Sequence, residues 1–460
     1  MNINPLTCID FYKADHKRQY PEGTEYVYSN FTARKSYNGD SHIVFFGLQY
    51  FIKWFLQEVW QKEFFDKPKS EVVSEYKRIM ENSIGGLVDY SHIEELHDLG
   101  YLPIKIKALP EGSLVPMKVP VLTITNTLPN FFWLVSYLET IMSTTLWKMS
   151  TSATMARKYK ELLNRYAGDN RDFVKFQGHD FSFRGMSGVH DAAMSGAGHL
   201  TSFVGTDTIP AIELLEKYYR ATGLVGCSVP ATEHSVMCMG SKEGELDTFK
   251  RLITETYPKG VVSIVSDTWN LWDVVDKYLP ALSKEINERE GVVVIRPDSG
   301  DPVEISCTVV DKLIKNMGGT TNSSGLIRMN SKLGVIYGDS ITLERCEQIL
   351  IRLKAKGYSS DNMVFGIGSF TYQYCTRDTH GWAMKATYGV VNGEGREIFK
   401  DPITDEGTKK SAKGLLRVEK ENGEYVLYDQ QKDDLGGCLL EVFRDGQLLL
   451  ETSLEDIRNA

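Results

Sequence analysis

Between about residues 150 and 388 the chain repeats one pattern. Short apolar runs end in an acidic or polar residue or a glycine, and most are followed by a stretch with helical spacing. The runs are 174–180, 202–207, 226–234, 261–267, 292–298, 334–339 and 363–369. Helical periodicity follows at Ala211, Ile212, Leu214, Leu215, Tyr218 and Tyr219, and another helix is expected from Asp301-Pro302, an N-cap followed by proline at the first helical position. Six or more such units predict an α/β fold, either a parallel β/α barrel or a doubly wound sheet. In both, residues at the carboxyl ends of the strands face the active site. The Asp, His and Arg residues of this chain are concentrated at those ends.

The flanking zones have other periods. Lys105, Lys107, Thr123 and Thr125 alternate with Ile104, Ile106, Leu122 and Ile124, which predicts half-exposed strands. Leu134, Leu138 and Ile141 switch to helical spacing. After residue 389, Asn422-Gly423 and Asp445-Gly446 each sit between apolar runs and predict tight hairpins. The expected organisation is a discontinuous mixed α+β domain, 1–148 with 389–460, around a β/α barrel domain at 149–388. Lys400, Lys409, Lys410 and Lys413 interrupt the last zone, either as a solvated loop or as an anion clamp.

Composition narrows the partners. A formal net charge of −9 argues against nucleic acid, although a small anion needs only a few local cations. The N-terminus is charged where a targeting segment is apolar, and the most apolar stretch, 131–147, contains Ser136 and Glu139 and reads as a buried helix rather than a membrane span. Seven scattered cysteines without a CxxC pair fit reduced thiols in the cytoplasm.

Four segments carry candidate chemistry. In 178–185, Phe181 and Phe183 alone read as core, but Arg184 next to them needs an anionic partner if buried. In 293–302, an apolar strand runs into Arg296, Asp298, Ser299-Gly300 and a capped helix. Arg suits phosphate, Asp a ribose diol, and a helix N-terminus an anion; a loop ion pair is the plain alternative. In 228–235, His234 follows Glu233, and a lone histidine is more often structural than catalytic. In 365–369, the glycines can lay backbone N–H groups against a phosphate.

Taken together, HDFSFRG, GTDT, SVPATEHS, VSDTWN, IRPDSGDP, YGDS, FGIGS, CTRD and FKDP stand in the order and approximate spacing of the nicotinamide phosphoribosyltransferases. DFYK, QYP, VYS and FGLQY resemble the same family near the N-terminus, so the likeness runs from about Asp10 to Ile457. The resemblance implies the irregular barrel of the type II phosphoribosyltransferases and a homodimer with active sites at the subunit interface. It implies transfer of the 5-phosphoribosyl group of phosphoribosyl pyrophosphate to nicotinamide, giving nicotinamide mononucleotide and pyrophosphate in NAD salvage. Magnesium is expected through the pyrophosphate, with ATP as an optional co-substrate that phosphorylates His234.

By resemblance Phe181 stacks on nicotinamide, Tyr12 of the other subunit covers the opposite face, and Asp207 accepts the carboxamide N–H. Arg184, Arg296, Gly368 and Ser369 resemble phosphate and base contacts; Asp298, Gly338 and Asp339 resemble ribose contacts. Arg34, Arg377, Lys385 and Lys400 resemble the cationic pyrophosphate side, contributed largely by the partner subunit. His234, Asp298, Arg296 and Asp267 form the expected catalytic set. One departure is Gly368-Ser369-Phe370 in place of a longer glycine run, which is expected to narrow the channel. The competing readings are a nicotinate phosphoribosyltransferase, a metal-dependent barrel hydrolase using Asp180, His179 and Asp267, and a non-catalytic binding protein on an enzyme scaffold. Asp207 argues against the first, since an ionised carboxylate repels nicotinate.

Overall fold

The run 292–295 is three valines and an isoleucine, side chains stiff at χ1 that pack well on a pleated surface, and it forms the strand Glu290–Arg296. The computed structural model describes residues 3–84, 89–400 and 412–460. Six strands share this sheet: β1 (Gly178–Asp180), β2 (Gly205–Thr206), β3 (Lys259–Val265), β4 (Glu290–Arg296), β5 (Leu333–Tyr337) and β6 (Met363–Ile367). Their spatial order is β2-β1-β6-β5-β4-β3, and every pairing is parallel.

The two outer strands are joined by the segment 227–232. Cys227 bridges Gly205 and Ala231 bridges Ser263, both in parallel. Four backbone bonds hold the segment: Cys227 N–H to Val204 O at 2.7 Å, Thr206 N–H to Cys227 O at 2.9 Å, Ser263 N–H to Pro230 O at 2.9 Å and Thr232 N–H to Ser263 O at 3.0 Å. The sheet therefore closes into an irregular parallel β/α barrel, and closure removes the exposed edges of an open sheet. All seven apolar runs noted in the sequence are staves of this ring. Val293, Ile295, Val335, Tyr337, Phe365 and Ile367 are buried in its core, each contributing roughly 1.5–3 kcal/mol by leaving water. Asp301 caps the helix Pro302–Met317, accepting from the Glu304 N–H at 2.8 Å.

The chain divides into two compact units. One comprises Met1–Thr151, Leu215–Ala221 and Cys375–Ala460; the other, Ser152–Leu214 and Thr222–Tyr374, holds the barrel. The first contains a seven-stranded antiparallel sheet drawn from both ends of the chain, with Thr24–Ala33 between Trp382–Val391 and Pro120–Asn126. The boundary expected at 388/389 falls inside Trp382–Val391, which pairs along its length with Thr24–Ala33, so residues 375–388 lie with the first unit rather than with the barrel.

Lys105 and Lys107 alternate with buried isoleucines as expected. Thr123 and Thr125 do not, being 2% and 1% exposed. Their strand, Pro120–Asn126, is covered on both edges by Thr24–Ala33 and Ile104–Ala108 and is buried at every position. Asn422-Gly423 and Asp445-Gly446 have positive φ at both residues, the mirror-image turn that matches strand twist. Among the described residues no helix is long and apolar enough to cross a membrane. Lys409 and Lys410 lie outside the described residues.

Candidate active site

The carboxyl ends of the barrel strands gather one group of side chains. β1 ends at Asp180, which is fully buried; its Oδ1 accepts from the Ser182 N–H at 2.9 Å and the Ser182 hydroxyl at 2.6 Å, while Oδ2 accepts from the Thr206 hydroxyl at 3.3 Å. These bonds fix the turn that carries Phe181, whose N–H donates to Ile367 O at 3.0 Å. The Phe181 ring then lies over the backbone of two neighbouring staves. A Cβ at Gly338 would stand 2.7 Å from Phe181 Cδ2, and one at Gly366 only 2.3 Å from it. Both glycines are there for space. Arg184 is exposed on the turn Phe183–Gly185, so it needs no buried anionic partner.

Asp207 follows β2. Its Oδ1 accepts from His179 Nε2 at 2.9 Å and from the Ser228 hydroxyl at 2.6 Å. Burial pushes the Asp207 carboxyl up, but the His179 and Ser228 hydrogen bonds and the nearby Arg296 charge more than offset it, and the group is held below the usual carboxylate range. Arg296, at the end of β4, donates to the Thr232 carbonyl on the closing segment.

Asp267, after β3, ties three elements together. Its Oδ2 accepts from the Asp298 N–H at 2.9 Å and from the Ser299 hydroxyl, and its Oδ1 lies 3.9 Å from His234 Nε2. His234 opens the short helix His234–Met239 and also meets the Thr268 hydroxyl through Nδ1 at 3.3 Å. Partial desolvation raises the Asp298 carboxyl above its ordinary range; Arg296 and His234 oppose this, and the charges of Asp267 and Asp339 add to it. Gly368 precedes the turn Ser369–Tyr372, and a Cβ at Gly185 would stand 2.6 Å from Ser369 Cβ, so the segment 178–185 and the glycine-rich turn are in close contact. Phe370 is exposed and stacks on Tyr374 at 5.1 Å.

The remaining expected residues lie in the other unit. Tyr12 is 61% exposed on the turn Phe11–Asp15. That turn is pinned by a Lys13–Glu139 ion pair at 2.6 Å and by the Thr140 hydroxyl donating to Asp10 Oδ2 at 2.8 Å. Arg34, Arg377, Lys385 and Lys400 form a cationic group: burial lowers the Lys385 ammonium pKa, and the other three charges lower it further against the pull of Glu139. The Arg34 guanidinium is oriented by Gly381 O, accepting from Nε at 3.0 Å.

Asp180, His179 and Asp267 do not form a metal site. Each serves a different partner, and among the described residues no three His, Cys, Asp or Glu side chains converge to hold an ion. Sequence reading missed the joint hold of His179 and Ser228 on Asp207. The three residues come from separate motifs, and only the strand order brings them together.

The fold resembles the crystal structure of nicotinate-nucleotide pyrophosphorylase from Pyrococcus furiosus, with a TM-score of 0.63 and 15% identity over 99% of this chain and 94% of that one. Residues 176–444 match the nicotinate phosphoribosyltransferase (NAPRTase) family, which fixes the class as phosphoribosyltransferase. Residues 4–106 match the nicotinamide phosphoribosyltransferase N-terminal domain. A nicotinamide phosphoribosyltransferase of Acinetobacter baylyi is 56% identical over 99% of this chain and 96% of its own, and one of Mycoplasma pneumoniae is 35% identical over 90% and 95%. The chain belongs to the nicotinamide phosphoribosyltransferase family.

Proposed function

We propose that this chain transfers the 5-phosphoribosyl group of phosphoribosyl pyrophosphate to nicotinamide, giving nicotinamide mononucleotide and pyrophosphate. The observation that carries the choice of base is Asp207, a carboxylate held ionised and bonded to His179, whose ring lies 4.8 Å from that of Phe181. An ionised carboxylate accepts from a carboxamide N–H and repels the carboxylate of nicotinate.

In the reaction the pyridine nitrogen bonds to the anomeric carbon as the bond from that carbon to the pyrophosphate oxygen breaks. The nitrogen carries no proton, so no general base is needed. What remains is electrostatic. Asp298 and Asp339 supply negative charge toward an oxocarbenium-like ribose, Arg296 and the Gly368-Ser369 turn hold the 5-phosphate, and Arg34, Arg377, Lys385 and Lys400, contributed largely by the partner subunit, receive the departing pyrophosphate. Phe181 orients the flat base near the anomeric carbon. Magnesium on the pyrophosphate would neutralise its charge, and Asp298, near the charges of Asp267 and Asp339, would be the carboxylate to hold it.

The protein works as a cytoplasmic homodimer, with Tyr12 of one subunit covering the base held by Phe181 of the other; the exposure of Tyr12 on a pinned turn supports this. ATP phosphorylates His234, which stands half-exposed beside Asp267.

The test is a turnover assay with phosphoribosyl pyrophosphate, Mg²⁺ and either nicotinamide or nicotinate, with and without ATP. Mononucleotide from nicotinamide is expected. Product mainly from nicotinate would overturn the choice of base, and silence with both would overturn the reaction.

A further inference from the structure

His179 is a member of the HDFSFRG segment whose chemistry the reaction above leaves unused. It is the middle residue of β1, with Gly178 and Asp180 buried on either side of it and its own side chain 12% exposed. The imidazole is tightly housed. A Cβ at Gly205, its partner on β2, would stand 2.8 Å from Nδ1, and the Phe181 ring lies 4.8 Å away, centroid to centroid. In that position Nε2 reaches Asp207 Oδ1 at 2.9 Å.

An ionised carboxylate only accepts, so Nε2 must carry the proton. The Ser228 hydroxyl meets the same oxygen at 2.6 Å. Two donors from two staves thus converge on Oδ1, and neither takes Oδ2. A side chain with one oxygen anchored from both sides cannot rotate freely about χ2, so the direction of Oδ2 is set before any base arrives.

We propose that His179 is a positioning residue that determines base specificity: its Nε2–H, together with the Ser228 hydroxyl, fixes Asp207 Oδ1 so that Oδ2 receives the substrate carboxamide N–H. The inference rests on the reading that Asp207 is the amide acceptor. Without the imidazole donor, Asp207 keeps its charge but loses its orientation, and the weakened contact is the one that distinguishes amide from acid. The effect therefore falls on KM for nicotinamide and on the ratio of kcat/KM for nicotinamide to that for nicotinate, more than on kcat.

Two variants separate the hydrogen bond from the packing. His179→Phe keeps a ring beside Phe181 and removes the donor; His179→Gln puts an amide N–H near the position of Nε2 without the ring. Both are assayed as the full chain with saturating phosphoribosyl pyrophosphate, alongside Asp207→Asn. The expected result is a rise of about tenfold in KM for nicotinamide and a fall of about tenfold in the ratio for His179→Phe, the range for a hydrogen bond to a charged group. His179→Gln should recover most of both. If His179→Phe leaves the ratio intact while Asp207→Asn collapses it, the role of His179 is overturned and Asp207 stands. If Asp207→Asn also leaves the ratio unchanged, the Asp207 reading itself fails. Equal losses of kcat and KM in both His179 variants, or loss of folded protein in both, would assign the residue to packing and overturn the proposal.

Discussion

Phe181 and Gly366 share a space that admits only one of them beyond the backbone: a Cβ on Gly366 would come within 2.3 Å of Phe181 Cδ2 and 2.6 Å of Cε2. The ring belongs to the loop after β1 and the glycine to the adjacent stave β6. Gly366→Ala must therefore displace the ring. Overpacking of this kind costs roughly 1–3 kcal/mol in stability. A platform moved by about 1 Å weakens base binding on the order of tenfold or more. Thermal unfolding and KM for nicotinamide check both, and a normal KM in a folded variant would remove Phe181 as the platform.

On the proposed reading, Asp207→Asn removes the charge that discriminates between the two pyridine bases. The ratio of kcat/KM for nicotinamide over nicotinate should fall by at least about tenfold, because like-charge juxtaposition costs several kcal/mol. A pH dependence follows from the depressed carboxyl. A group ionised more readily in the folded state contributes stability above its unfolded pKa and loses it only as pH falls through the lower, folded value. The wild-type selectivity should hold as pH falls into the ordinary carboxylate range, measured as the same ratio at decreasing pH.

The barrel was legible because its signal is local: each stave is a short apolar run, and the residue that ends it faces the mouth. Asp207, Arg296, Asp298 and Asp267 could be picked out on that ground. The relation between His179 and Asp207 could not, because no period in either segment encodes which staves are neighbours. Tertiary context also overrode alternation at Thr123 and Thr125, whose strand Pro120–Asn126 lies inside the sheet and is buried on both faces. The segment 375–388 looked like part of the barrel because its partner, Thr24–Ala33, lies at the opposite end of the chain.

His234 stands 3.9 Å from Asp267 Oδ1, a buried carboxylate oxygen with no hydrogen-bond partner among the described residues. A carboxylate in that place orients an imidazole whose Nε2 bears the proton, which leaves the attacking lone pair on Nδ1, beside the Thr268 hydroxyl. Incubation with ATP labelled at its terminal phosphate should leave acid-labile label on the wild-type protein and none on His234→Ala. An unlabelled wild type would remove the phosphohistidine.

Glu111 titrates in an unusual range. It is fully buried, with Oε2 accepting from the Gly47 N–H at 2.7 Å and the Tyr219 hydroxyl at 2.9 Å, and Oε1 from the Gln49 N–H at 2.6 Å. Burial raises its pKa from 4.5 to about 6 despite these donors. A raised acid binds its proton more tightly in the folded state, so its contribution is fully present below 4.5 and is lost as pH rises through about 6. Glu111→Gln turns an N–H₂ toward a backbone donor and should destabilise the protein by roughly 1–3 kcal/mol near neutrality. The check is unfolding of both proteins from pH 4 to 7.5: the difference between them should vary between pH 4.5 and about 6 and flatten above that.

Lys385 offers a proton-linked signature of pyrophosphate binding. Burial and the charges of Arg34, Lys400 and Arg377 depress its ammonium pKa, with only Glu139 opposing them. A polyanion arriving among these cations favours the charged lysine and raises its pKa again. Binding is therefore coupled to proton uptake at alkaline pH, and affinity falls as pH climbs through the depressed value of the free protein. Calorimetric titration with magnesium pyrophosphate in two buffers of different ionisation enthalpy measures that uptake directly. The wild-type protein should take up a fraction of a proton, and Lys385→Met should bind more weakly and lose most of the buffer dependence. If the uptake persists unchanged in Lys385→Met, the titrating group lies elsewhere and this lysine does not meet the pyrophosphate.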